Sequence, residues 1–193
     1  MFKKENKMTN KELLVKYSKI LAKEEFVIGS GGNISVREKN SIIIKKSNVY
    51  LSKAKVNDYE KVSFKEAEKF YKYKLSIETP FHLACYKVRQ DINAIIHVHP
   101  INVIAFANKE KVLKNISYEF NYILKKEVPV IDFFEPGSEK LKYNVSQKAE
   151  KGYNGMILKK HGLICLGKDL EQTYLRVLAV NRACEIFLLS NKD

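Results

Sequence analysis

The stretch Asn93–Pro100, NAIIHVHP, sets two of the chain's four histidines one residue apart at the end of an apolar run. A short run rich in β-branched residues reads as a buried strand. In a strand, residues i and i+2 share a face. His97 and His99 are therefore expected side by side, with Val98 turned the other way. Two neutral imidazoles converging on one point are what a metal ion takes as ligands. Zinc and similar ions usually take a third protein ligand and, in catalytic sites, keep one position open. His161, in KKHGLI, follows the apolar MIL and precedes a glycine, at a strand end where side chains can line a cleft. His82 lies inside TPFHLACY and reads as a helix residue with a local hydrogen bond. The ligand set is thus His97, His99 and His161.

The remaining chain is organised around that strand. At 193 residues it suits a single domain, 1–193, with a sizeable core. It contains no internal repeat or Pro/Gly-rich linker. Asn10 is placed as the cap of a first helix with Leu13, Leu14, Tyr17, Ile20 and Leu21 as its apolar stripe. NISVRE and SIIIKK read as strands around a polar turn, and KVSF with FYKYKLS as a further hairpin around KEAEK. Thr79 and Pro80 read as N-cap and first residue of a helix through about Val88. EVPVIDFF reads as a strand, and GSEKLKYNVSQKAEKG as a helix with Leu141, Val145 and Ala149 inside. GMILKKHGLICLG reads as two strands turning at His161-Gly162, and Asp169 as the cap of a long final helix. Helices bracketing short strands imply a layered α/β architecture with a largely antiparallel or mixed sheet.

Composition excludes several classes. No apolar run is long enough to span a bilayer, and the charged MFKKENKMTNKELL lacks the apolar segment of a signal peptide. The formal charge is +13, but the lysines are scattered and often alternate with glutamate, as in FKEAEK. That pattern describes a solvated surface. With no nucleic-acid motif, it argues against a nucleic-acid partner and leaves a field that draws in small anions. Cys85, Cys165 and Cys184 lie in apolar segments and read as buried thiols of a reducing cytoplasm.

GSGGNIS, Gly29–Ser35, is a glycine-rich loop before a strand. Its glycines let backbone N–H groups turn toward an anion, and Ser30 and Asn33 add side-chain donors. It is not a dinucleotide loop, because no strand precedes it and no helix follows. LSIETP adds Ser76 and Glu78 just before a helix N-terminus, which favours anions. Read alone, Glu78 is a helix-capping acid. Beside a metal it is a carboxylate placed to act as a base.

Taken together, GSGGNISVR, SIETPFHLACYKVRQDINAIIHVHP and KKHGLICLGKDLEQ resemble the class II aldolase/epimerase family over nearly the whole chain. The resemblance implies a three-layer α/β/α fold around a central, mainly antiparallel sheet, and a homotetramer. It implies one Zn2+ per chain on His97, His99 and His161, at a subunit boundary. It makes Glu78 the catalytic glutamate, where epimerases carry aspartate, and makes Tyr118 a proton donor supplied by a neighbouring subunit. It maps a phosphate pocket onto Ser30, Asn33, Ser47, Asn48 and Ser76. The implied activity is cleavage of a ketose 1-phosphate, such as L-fuculose 1-phosphate or a deoxypentulose 1-phosphate, to dihydroxyacetone phosphate and a small aldehyde. The alternatives are a methylthioribulose-1-phosphate dehydratase, with Glu119 as base, and a non-catalytic binding module of the same fold. The chain departs from the family at Ile77, which replaces a second phosphate-binding serine. It departs again at KKSN, which stands where TPSG or TPTG is usual and puts Asn48 on a glycine position. The end at Asp193 leaves little room for the family's mobile tail.

Overall fold

The structure is a computed structural model and describes residues 8–191. The readings of the first seven residues and of the extreme C-terminus fall outside that range. Eight strands form one sheet: β1 (Asn33–Glu38), β2 (Ser41–Lys45), β3 (Tyr59–Ser63), β4 (Ala94–Val98), β5 (Val112–Leu113), β6 (Val128–Ile131), β7 (Gly155–Leu158) and β8 (Gly162–Gly167). Their spatial order is β3-β2-β1-β4-β8-β7-β6-β5. Every neighbouring pair is antiparallel except β6 and β7.

Period-2 alternation builds a core on each face. Along β4, Ala94, Ile96 and Val98 join one cluster while Ile95 joins the other. The first cluster is closed by α1 (Asn10–Lys23), α4 (Ile101–Lys109), α5 (Tyr118–Leu124) and α7 (Leu170–Ser190). The second is closed by α2 (Phe64–Lys74), α3 (Thr79–Val88) and α6 (Glu139–Glu150). This is the expected three-layer arrangement. Because β4 is covered on both faces, its run is apolar throughout, and each fully buried isoleucine there contributes roughly 1.5–3 kcal/mol. No helix among the described residues is long and apolar enough to cross a membrane.

Three readings are corrected. FYKYKLS does not return as a strand; the chain runs from β3 straight into α2. Ser63 and Glu66 form a reciprocal cap that opens this helix. The Glu66 amide donates to Ser63 Oγ at 3.2 Å and the Ser63 amide to Glu66 Oε2 at 3.1 Å. The same S/T-x-x-E signature makes Thr9, not Asn10, the N-cap of α1, through Glu12. Asn10 instead donates to Glu38 at 2.9 Å. Finally, Glu78 occupies the N-cap position of α3, and Thr79 is already helical. The short β5 and α5 were not read from the sequence. Asp169 caps α7 as expected, accepting from the Gln172 amide at 2.7 Å.

Candidate metal centre

The middle of the sheet assembles the site. β1 sets Asn33 opposite His97, and β8 sets Leu163 opposite Val98. The β7–β8 turn therefore carries His161 onto the end of β4. His97 Nε2 lies 3.0 Å from His99 Nε2 and 3.3 Å from His161 Nε2. The ligating atoms of all three lie within 4.8 Å of one another.

The chemistry of this set fits a divalent ion. A carbonyl only accepts, so His97 Nδ1–H donates to Leu163 O at 3.0 Å, and its Nε2 lone pair faces the other rings. His99 is pushed down to about 3 and His161 to about 4, in both cases first by burial and then by neighbouring His97. Neutral imidazole nitrogens this close repel through their lone pairs unless a cation sits among them. Three nitrogens beside the adjoining pocket are a donor set that could hold a metal with one position left open.

Gly162 explains the histidine-glycine pair. A Cβ there would lie 2.3 Å from Val98 O and 2.8 Å from His99 Cδ2. Gly162→Ala is therefore expected to push the His99 ring off its position. Metal affinity should fall about 10- to 100-fold, the range for disturbed ligand orientation, as read by competitive chelator titration. Wild-type affinity in that variant would contradict this role.

Glu78 does not use its N-cap position to cap: its side chain makes no hydrogen bond to the helix. It turns into the site, where Oε2 accepts from Asn33 Nδ2 at 2.8 Å and lies 3.1 Å from His97 Nε2. Oε1 lies 3.5 Å from His161 Nε2 and has no hydrogen-bond partner among the described residues. Burial alone would raise this carboxyl, but positive charge at the histidine cluster, first at His97 and then at His161, together with the Asn33 donor outweighs it and holds it below the usual carboxylate range.

The reading of His82 as locally bonded is corrected. It is fully buried and reaches β1: Nε2 meets Asn33 Oδ1 at 2.5 Å and Nδ1 meets Ser35 Oγ at 2.8 Å. Ser35 Oγ in turn meets Tyr86 OH at 2.9 Å. Burial pushes His82 down to about 3. Its charged form is thus disfavoured in the fold and available in the unfolded chain. A depressed histidine contributes stability above its ordinary 6.5, and this is lost as pH falls toward about 3. Equilibrium urea unfolding of the metal-free protein is expected to lose up to about 1.4 kcal/mol per pH unit for this proton below pH ~6.5. His99 and His161 add in the same direction. A flat profile between pH 6.5 and 4.5 would be inconsistent with neutral buried imidazoles.

Beside the three histidines lies a pocket of about 290 Å³ lined by Ser30, Asn33, Ser47, Asn48, Ser76 and Glu78, so the sequence-derived residues gather around one space. Asn48 has φ +59°, the left-handed region, which asparagine tolerates better than most non-glycine residues. That explains why it can stand on a glycine position. Ile77 is half-exposed at the rim. Lys45, which sequence reasoning missed, also lines the pocket. The available signal was a lysine at an inward-facing register of the strand SIIIK. Tyr118 does not line this pocket; it is exposed at the start of α5 and stacks with Tyr122 at 6.2 Å. Glu119 borders a larger cleft of about 1230 Å³ that also touches His99.

Residues 12–188 match the family described as Class II Aldolase and Adducin N-terminal domain. An L-fuculose phosphate aldolase of Methanocaldococcus jannaschii is 32% identical over 181 residues, covering 94% of this chain and 97% of that one. A 5-methylthioribulose-1-phosphate/5-deoxyribulose-1-phosphate aldolase of Escherichia coli is 30% identical over 145 residues, 75% of this chain and 67% of that one. In fold, the chain superposes on an L-fuculose-1-phosphate aldolase of Thermus thermophilus with a TM-score of 0.85 at 22% identity, over 94% of this chain and 93% of that one. With the sheet, the histidine triad and these similarities in hand, the chain belongs to the class II aldolase and adducin N-terminal domain family, as an enzyme of its class II aldolase type.

Proposed function

We propose that the protein is a zinc-dependent aldolase that reversibly cleaves a ketose 1-phosphate, such as L-fuculose 1-phosphate or a deoxypentulose 1-phosphate, to dihydroxyacetone phosphate and a small aldehyde. The observation that carries this reading is the buried Glu78 carboxylate 3.1 Å from His97 Nε2, lining a pocket with hydroxyls and amides around it. Three imidazoles without a thiolate suit zinc. A bound Zn2+ on His97, His99 and His161 would act as a Lewis acid toward the substrate's carbonyl and adjacent hydroxyl. Glu78, kept ionised, holds and returns the proton at the substrate carbon beside the carbonyl. Asn33 orients that carboxylate. Ser30, Asn33, Ser47, Asn48 and Ser76 bind the phosphate, which fixes the sugar's direction in the pocket. Tyr118 serves a neighbouring subunit, donating to the oxygen that becomes the aldehyde. The working unit is therefore a homotetramer in the cytoplasm, a reducing compartment that suits three buried free thiols.

A second reading, methylthioribulose-1-phosphate dehydratase, is favoured by one feature: Glu119 borders the larger cleft beside His99. The test is to incubate zinc-loaded protein with several ketose 1-phosphates. Release of dihydroxyacetone phosphate supports the aldolase, and loss of water with no triose phosphate supports the dehydratase. Full activity of a monomer, by sedimentation and assay at one concentration, would remove both the tetramer and Tyr118's role.

A further inference from the structure

Glu78, at the N-cap of α3, and His82 and Tyr86 within it follow one another at a spacing of four and face β1. Asn33 and Ser35 face them from β1 at a spacing of two. Four helical residues rise about 6 Å and two strand residues about 6.8 Å. The two repeats nearly match, so the side chains interleave like the rungs of a ladder. Asn33 sits between Glu78 and His82: its Nδ2 donates to Glu78 Oε2 at 2.8 Å, and its Oδ1 accepts from His82 Nε2 at 2.5 Å. Ser35 sits between His82 and Tyr86, with Oγ 2.8 Å from His82 Nδ1 and 2.9 Å from Tyr86 OH. All five residues are buried.

His82, Ser35 and Tyr86 are fully buried and line none of the pocket beside the histidines. Apolar contacts are non-directional and by themselves would let α3 shift along the sheet. The ladder is directional, and it fixes the helix lengthwise. Asn33 also pairs with His97 across β1 and β4, so its rung ties Glu78 to the strand that carries a metal-ligand candidate. Phe81 stacks on the His82 ring at 4.6 Å and meets His97 edge-on at 5.7 Å, which sets the plane of the buried imidazole. We propose that His82 is a positioning residue: through Asn33 it holds the Glu78 carboxylate at its height beside His97 Nε2. This rests on the reading of Glu78 as the base. Loss of His82 therefore acts on turnover more than on substrate affinity, because Ser30, Ser47, Asn48 and Ser76 are untouched by it.

The test compares the zinc-loaded full chain as wild type, His82→Leu and His82→Gln. Leucine fills a similar volume but leaves Asn33 Oδ1 buried without a donor, so the amide turns toward another. Glutamine restores an N–H at about the reach of Nε2. His82→Leu is expected to lower kcat for a ketose 1-phosphate about 10- to 100-fold, the range for losing an outer-shell partner, while KM changes much less and zinc content stays near wild type. His82→Gln is expected to recover most of that loss. A merely structural role would lower the melting midpoint and leave kcat of the folded enzyme untouched. Crystal structures of the same proteins give a readout that needs no turnover. In His82→Leu, Glu78 Oε2 should lie beyond hydrogen-bond distance of Asn33 Nδ2, and in His82→Gln within it. Wild-type kcat in folded His82→Leu, or a Glu78 unmoved in its structure, overturns the proposal. Should neither variant fold, long-range proton–nitrogen correlation spectra of the wild type decide. A His82 imidazole protonated on Nε2 alone supports the link to Asn33, and one protonated on Nδ1 overturns it. Displacement of Glu78 in a His82→Leu protein that keeps its zinc, with no aldol cleavage by the wild type, would leave this proposal standing and remove the proposed reaction.

Discussion

His97→Ala yields a folded protein that has lost its divalent metal and almost all turnover. His97 is the central member of the triad, with its Nε2 3.0 and 3.3 Å from the other two. Removing it leaves His99 and His161, each near the end of a strand, with no third nitrogen between them. Lewis-acid stabilisation of transition-state charge is worth several kcal/mol, and each 1.36 kcal/mol is tenfold in rate. The expected loss is therefore on the order of a thousandfold or more. The fold should survive, because β4 keeps its backbone ladders to β1 and β8 and its apolar residues on both faces. The truncation vacates space beside Phe81, whose ring meets His97 edge-on at 5.7 Å, so some loss of stability is expected as well. Metal analysis and circular dichroism on the same sample check both halves. A variant with a full complement of metal would count against the triad as the binding site.

Glu78→Gln separates the chemistry from metal binding. The amide keeps the size of the carboxylate, and its carbonyl oxygen can still accept from Asn33 Nδ2. It cannot accept a proton near neutral pH. A positioned acid/base typically contributes roughly 100- to 10,000-fold, and a loss in that range is expected in kcat with zinc content little changed. Glu119→Gln is the matched control. Glu119 borders the larger cleft and forms no hydrogen bond or ion pair with the three histidines among the described residues, so the aldolase reading expects a small effect. An active Glu78→Gln beside an inactive Glu119→Gln would transfer the base to Glu119 and promote the dehydratase.

The clustering of His97, His99 and His161 was legible because strand parity and the glycine after His161 are local, spacing-based signals. The three-layer class followed from apolar runs bracketed by amphipathic helices. The start of α1 was misplaced by one residue and α2 was missed for one reason. Thr9 with Glu12 and Ser63 with Glu66 carry the same reciprocal cap, a signal that neither sequence reading used. His82 was misread because its partners, Asn33 and Ser35, are 49 and 47 residues away in the chain and meet it only once α3 packs on β1. Lys45 escaped notice in a lysine-rich sequence because only its inward register distinguishes it from the solvated lysines. Tyr118, exposed on α5, has no role that a single chain can display.

The buried polar chain beneath β1 has a direction. The Glu78 carboxylate only accepts, so Asn33 must present Nδ2 to it and Oδ1 to His82. His82 must then carry its proton on Nε2, which leaves Nδ1 to accept from Ser35, whose oxygen accepts in turn from Tyr86. Every member has one permitted orientation, read off from the carboxylate at the end. The consequence is a carboxylate with inequivalent oxygens. Oε2 is committed to Asn33, while Oε1 has no hydrogen-bond partner among the described residues. A proton arriving on Oε1 leaves the whole chain undisturbed, whereas one arriving on Oε2 would set two donors face to face. The buried array thus singles out Oε1 as the oxygen that can take a proton without any member of the chain having to turn over.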